Sequence, residues 1–364
     1  MSELFKPCNI GTLTLKNRFV RSATEDWLGD AGGGISDAKL ALYEQLAAGG
    51  VGTIITGHAY VSHPRGRAGI SQTAIYDDRY LPGWQRLAAV VQKHGVKAIL
   101  QLAHAGRQTA PDIIEEQLPV APSDLLDEQG EEVAKGLSLA EMKRIVEDYG
   151  AAARRAQQAG FDGVQLHMAH GYLLAQFLSP FTNRRTDEYG GTTVRRTRFP
   201  VEVLCRVREI VGPDFPVWIK LNSTDGLPDT MQPQITLADV VETAAILADH
   251  SANVIEVSGG TIKETRMVMA KPGIVDEKDE GYFGAAVAAI KAKVNIPVIQ
   301  VGGLRSLTVM QAVIDKGQAD LISMSRPFIR EPDLVNRLAA GQEKATCVSC
   351  NGCFNPKGIR CVLD

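Results

Sequence analysis

The chain has 364 residues, 45% of them hydrophobic and 22% charged, with 35 glycines and a formal net charge of -3. Such a composition builds a sizeable core and excludes a disordered or fibrous chain, and its charge shows no block that would draw a phosphate backbone or an anionic membrane. No run of 18 apolar residues occurs, and the first residues, MSELFKPCNIGTL, lack a basic stretch followed by an apolar core, so a cytoplasmic protein acting on a small molecule is expected, with no nucleic acid and no membrane as partner.

Short runs rich in Val, Ile and Leu recur along the chain, each followed by a longer segment with apolar residues at helical spacing. The strands are predicted at 18–23, 52–56, 97–102, 163–167, 217–221, 254–257, 298–301 and 320–324. VGTIIT, KAILQL, VWIKL, NVIEV, PVIQV and DLISM are apolar without alternation, as strands buried on both faces are. Between them SDAKLALYEQLAAGG, SLAEMKRIVEDYGAAARRAQQAG and LADVVETAAILADH read as helices, opened by Ser or Asp caps and often closed by Gly. Eight βα units predict an α/β chain folded as a closed (β/α)8 TIM barrel. A Rossmann sheet is disfavoured, because the first βα turn lacks its glycine fingerprint. One barrel domain is expected over 1–340, with a short cysteine-bearing tail over 341–364. The stretch 108–136 is expected to be an irregular active-site loop.

In such barrels the chemistry lies at the C-terminal ends of the strands. There the sequence places Ser22, Ala23 and Thr24, then Gly57 and His58, Gln101 and His104, His167, His170 and Tyr172, Lys220, Ser258, Gly302 and Gly303, and Ser325 and Arg326. Glycines and an arginine after the last two strands suit a phosphate, since bare backbone N–H groups and a guanidinium fork both match an anion. His167 and His170 with Tyr172 form a set able to grip an oxyanion and deliver a proton, although histidines here also admit a metal with His104 as third ligand. Lys220 fits either a Schiff-base lysine or a cation set against a cofactor ring.

KNRFV, LQLAHAGRQ, GFDGVQLHMAHGYLLAQFLSPFTNRRTDEYGG and ISMSRPFIREP together resemble the Old Yellow Enzyme family of NADH:flavin oxidoreductases, in the bacterial branch related to the barrel domain of 2,4-dienoyl-CoA reductase. The resemblance implies FMN across the barrel mouth, touched by Ser22, Ala23, Thr24, Gly57, Gln101, His167, Lys220 and Ser258, with Gly302, Gly303, Ser325 and Arg326 toward its phosphate. It implies an ene-reductase that takes electrons from NAD(P)H and passes them, in a ping-pong cycle, to the activated C=C bond of an α,β-unsaturated carbonyl compound. His167 and His170 would bind the substrate oxygen, Tyr172 would donate the proton, and Trp27 and His104 would line the substrate pocket. Family members are often dimers or tetramers, and the resemblance leaves open whether this chain is a homo-oligomer. Two other readings stand beside this one: a Schiff-base aldolase or lyase using Lys220, and a catalytically inactive flavin or metal electron-transfer partner.

Two departures from the family pattern stand out. Glu25 occupies a position where many members carry threonine or cysteine beside the flavin, and a carboxylate there disfavours an anionic reduced ring unless protonated or turned away. Cys347, Cys350, Cys353 and Cys361 crowd into the last 18 residues, which is unlike a secreted disulfide framework and argues for a reducing compartment. They resemble the cluster-binding cysteines of dienoyl-CoA reductases, with shorter spacing and without the further domains of those enzymes. A [4Fe–4S] cluster, a structural zinc and unligated thiols are the three readings.

Overall fold

The computed structural model describes residues 2–127 and 129–363, apart from the side chains of 265–267. All eight predicted strands are present as a closed parallel barrel: β1 (Phe19–Arg21), β2 (Thr53–Ile55), β3 (Lys97–Ala103), β4 (Gly163–Met168), β5 (Val217–Asn222), β6 (Val254–Ser258), β7 (Val298–Gln300) and β8 (Leu321–Met324). Each pairs with its neighbour, and β8 pairs with β1 to close the ring. The non-alternating apolar runs have their physical reason here: β1, β2, β4, β5, β6, β7 and β8 are buried at every position.

Helices return the chain from strand to strand, and their starts are written locally. Ser36 caps Asp37–Ala48, Thr192 caps Thr193–Val211, and Ser138 and Thr236 form capping boxes with Glu141 and Asp239. Each cap satisfies an otherwise orphaned N–H and contributes about 1 kcal/mol. Among the described residues no helix is long and apolar enough to cross a membrane.

The barrel interior is layered. The N-terminal hairpin Cys8–Ile10 with Leu13–Leu15 sends Ile10, Leu13 and Leu15 into a cluster with Val20, Ile55, Ile99, Trp218, Val254, Ile299 and Leu321. Beyond this apolar plug lies a polar layer set by register: Gln165 is opposite Gln101, and Lys220 is opposite Glu256. Parallel neighbours in register face the same way, so these four side chains meet inside the barrel just below its mouth.

The stretch 108–136 departs from the expected irregular loop. It holds a 3-10 turn, Pro111–Ile113, and a small sheet of Val120–Ala121, Leu125–Leu126 and Glu132–Gly136. Ala121, Leu125 and Ala134 form a satellite core of their own, and this burial offsets the cost of ordering the segment. The tail straps back across the barrel, with Ala345 N–H donating to the Arg305 carbonyl and Ile359 N–H to that of Asp26.

Candidate active site

One large pocket opens at the C-terminal ends of the strands. It is lined by Ser22, Ala23, Thr24, Trp27, Gln101, His167, His170, Tyr172, Lys220, Ser258, Gly302, Gly303, Ser325 and Arg326. Fourteen expected site residues from seven strand ends therefore converge on one cavity.

Two do not. The Gly57 N–H donates to the Tyr43 hydroxyl at 2.7 Å, behind the pocket wall. His104 faces a second cavity with Gln117, Val120 and Leu137, where the Gly106 N–H donates to its Nδ1 at 3.0 Å. Burial, with Arg65 nearby, pushes the His104 ring down to about 3. The 108–136 segment lies toward this second cavity, and none of its described residues lines the main pocket.

At the floor, Lys220 Nζ is 3.2 Å from Glu256 Oε2 and donates to Ser22 Oγ at 2.8 Å. Glu256 also accepts from Ser22, Ser323 and Gln165, and Gln101 donates to Gln165. Burial raises the Glu256 carboxyl, but Lys220 and these three donors outweigh it and leave the group lowered. A lysine held on one side by a fully buried carboxylate and on the other by Ser22 is not free to attack a carbonyl as a Schiff-base lysine must. Glu256 had no role in the sequence reading, although a carboxylate within the apolar run NVIEV was a visible signal.

On one wall, the rings of His167 and Tyr172 are 4.7 Å apart and those of His167 and His170 are 5.0 Å apart, edge-on. The Ala169 N–H donates to His167 Nδ1 at 3.3 Å, so the neutral ring carries its hydrogen on Nε2. His170, at φ 61°, is fixed by its Nε2 contact with Ser258 Oγ at 2.7 Å. Burial, followed by neighbouring rings and Lys220, holds both histidines well below their ordinary range. They are hydrogen-bonding groups here rather than cations. Glu25 turns toward His58, with Oε2 3.0 Å from Nε2, while its Oε1 accepts the Trp27 N–H.

At the far end, Gly302 and Gly303 adopt φ of 115° and 72°, a backbone only glycine takes readily. Arg305 and Arg326 line the same end. A polar floor bearing Lys220, a wall of hydrogen-bonding rings and a basic, glycine-lined end suit FMN, whose ring Lys220 could hold and whose phosphate Arg305 and Arg326 could hold. Arg326 has a second duty, since its Nη1 donates to the carbonyls of Lys271 and Ser349 and to Asn351 Oδ1. Through these contacts the tail becomes part of the pocket, contributing Ser349 and Phe354 to its lining.

The four tail cysteines line one small cavity with Arg326 and Arg330, and Arg330 Nη1 lies 3.2 Å from Cys361 Sγ. Among the described residues, however, no three His, Cys, Asp or Glu side chains are arranged as metal ligands. Burial pushes the Cys347 and Cys353 thiols up. Of the three readings of these cysteines, neither the cluster nor the zinc is shown by the arrangement of the described residues.

Comparison with known proteins agrees with the pocket. The family model for the NADH:flavin oxidoreductase / NADH oxidase family matches residues 3–345. The chain is 35% identical over its whole length to an NADH oxidase of Thermoanaerobacter brockii, of which it spans 56%. It is 33% identical over 92% of its length to an NADPH dehydrogenase of Clostridium acetobutylicum, of which it spans 93%. The solved Old Yellow Enzyme homologue of Zymomonas mobilis superposes with a TM-score of 0.78 at 27% identity, covering 93% of each chain. The chain is a member of the NADH:flavin oxidoreductase / NADH oxidase family, in its Old Yellow Enzyme group.

Proposed function

We propose that this chain is an FMN-dependent oxidoreductase that takes electrons from NAD(P)H and reduces the activated C=C bond of α,β-unsaturated carbonyl compounds in a ping-pong cycle. The observation that carries this reading is the juxtaposition of His167, His170 and Tyr172 on one wall above the Lys220 floor. FMN, when bound, supplies hydride transfer between nicotinamide and alkene.

The remaining chemistry belongs to the protein. His167 donates its Nε2 hydrogen to the substrate carbonyl oxygen and polarises the alkene toward its β-carbon. His170, braced by Ser258, defines the other side of that oxygen site. Tyr172 delivers a proton to the α-carbon as the enolate forms. Lys220 keeps a positive charge under the ring, moderated by Glu256. Trp27 walls the substrate side, and the barrel plug excludes water from below.

A substrate of this class with one polar oxygen matches a pocket whose exposed lining is mostly apolar. The names of the two relatives cited above, one an NADH oxidase and one an NADPH dehydrogenase, support a nicotinamide reductant without choosing between the two nucleotides.

The test is an anaerobic absorbance titration of the purified protein. Flavin bands that bleach on adding NADH or NADPH and return with 2-cyclohexenone establish the reaction. A protein that bleaches but is reoxidised only by oxygen excludes ene reduction.

A further inference from the structure

Beside Tyr172, and lining the same pocket, is a group of side chains that the reaction above leaves unused: Glu25, His58 and Gln72. His58 Nε2 is 3.1 Å from the Tyr172 hydroxyl and 3.0 Å from Glu25 Oε2. His58 Nδ1, on the other edge of the ring, is 2.5 Å from Gln72 Nε2.

The orientation of the Gln72 amide is fixed by two further contacts. Its Oε1 accepts the Ala68 N–H at 2.7 Å, and its Nε2 reaches the His58 carbonyl at 3.3 Å. A flipped amide would set two donors and two acceptors against each other, so Gln72 must present N–H to His58 Nδ1. Nδ1 is then an acceptor, and the imidazole carries its single hydrogen on Nε2.

That hydrogen points between two oxygens at nearly equal distance, the Glu25 carboxylate and the Tyr172 phenol. Since both nitrogens of His58 are committed, the hydroxyl hydrogen of Tyr172 is not spent on His58. We propose that His58, locked as an Nε2–H donor by Gln72, is a positioning residue for Tyr172: it holds the phenol oxygen and stabilises the phenolate left when Tyr172 gives up its proton, in opposition to Glu25.

The inference rests on Tyr172 being the proton donor. In that step the Tyr172 O–H bond breaks, the proton forms the new α-carbon C–H bond, and the phenolate charge stays on Oη. Water entering after product release returns the proton.

The charged and titratable neighbours are few. His167 and His170 face Tyr172 from β4 and its loop and are neutral. Lys220 reaches from the floor, and Lys39 lies behind Glu25, paired with Asp26 at 2.7 Å. His58 Nε2 lies 3.1 Å from the phenol oxygen and the Glu25 carboxylate lies on the far side of that same nitrogen. A donor removed from the phenolate and an anion removed from its vicinity should therefore act in opposite directions.

The experiment is stopped-flow reoxidation of the NAD(P)H-reduced holoenzyme by 2-cyclohexenone across pH, for His58→Phe, His58→Gln, Glu25→Gln, Tyr172→Phe and the His58→Phe/Tyr172→Phe double variant. His58→Phe should slow reoxidation about tenfold, the worth of one hydrogen bond to a charged oxygen, and move the alkaline limb of the rate up by about one pH unit. His58→Gln, which can again offer an N–H, should recover most of the rate. Glu25→Gln should move the same limb down. His58→Phe should cost little once Tyr172 is Phe. Equal slowing by His58→Phe in both backgrounds, or an alkaline limb that stays put in both single variants, overturns the proposal. A Tyr172→Phe variant that reoxidises at full rate instead removes the proton-donor reading itself, and this inference with it.

Discussion

Lys220 Nζ lies 3.2 Å from Glu256 Oε2 inside the barrel, with side-chain exposures of 3% and 0%. Two groups taken so fully from water stabilise each other only while both are present, because an unpartnered buried charge costs roughly 3–5 kcal/mol. Glu256→Ala should therefore lower the folding free energy by about that amount, read as a lower Tm. It should also leave the Lys220 charge uncompensated beneath the flavin, raising the reduction potential measured by dye equilibration. A lower potential would show that the pair does not set the charge under the ring.

Tyr172→Phe removes a hydroxyl and leaves the ring that packs against His167. Enone reduction should fall by about 10²–10⁴, while reduction of the flavin by NAD(P)H changes little. The two half-reactions, followed separately in a stopped-flow spectrometer, check this. Loss of flavin reduction alone would contradict the proton-donor role.

Changing His167 to Ala should weaken binding of phenols, which imitate the enolate oxygen, by about 10- to 100-fold, the loss of one hydrogen bond to a charged acceptor. FMN should stay bound. Spectral titration with p-hydroxybenzaldehyde reads both quantities at once. His170→Ala should show a smaller loss, because its Nε2 already contacts Ser258.

His104 predicts a pH dependence of stability. Burial holds its ring at about 3 in the folded chain, against roughly 6.5 when unfolded. The unfolded state therefore binds the extra proton first. The stability contributed by keeping His104 neutral is complete above about pH 6.5 and is lost as pH falls toward 3, at up to about 1.4 kcal/mol per pH unit. Thermal melts between pH 7 and 5 should show Tm falling, and His104→Gln should flatten that slope. An unchanged slope would assign the acid sensitivity to other groups.

Arg326→Lys keeps the charge but gives up the guanidinium whose Nη1 holds the Lys271 and Ser349 carbonyls and Asn351 Oδ1. FMN affinity should drop by about tenfold or more, and the tail should be cleaved faster by a protease. Fluorescence titration with FMN and a digestion time course measure the two effects. Faster cleavage with unchanged FMN affinity would separate the tail from the cofactor site.

The sequence by itself determined the barrel and most of its mouth. A parallel sheet buried on both faces writes unbroken apolar runs such as VWIKL and NVIEV, and the rule that chemistry follows the strand ends picked out His167, His170, Tyr172, Gly303 and Arg326 without coordinates. What it could not supply were contacts across the ring. Glu256 becomes the partner of Lys220 through the register of β5 and β6, while Gln72 reaches His58 from a loop 14 residues on, with no periodic pattern to mark it. Gly57 and His104 follow strand ends, as the rule asks, yet the structure turns one toward Tyr43 and the other toward a second cavity. The 108–136 segment showed turn residues and no clear alternation, and only the packing of Ala121, Leu125 and Ala134 on each other makes it a sheet. Burial pattern is local and repeats with the pleat, so sequence carries it; the partner of a buried polar group is set by which distant segments meet, and only the tertiary structure decides that.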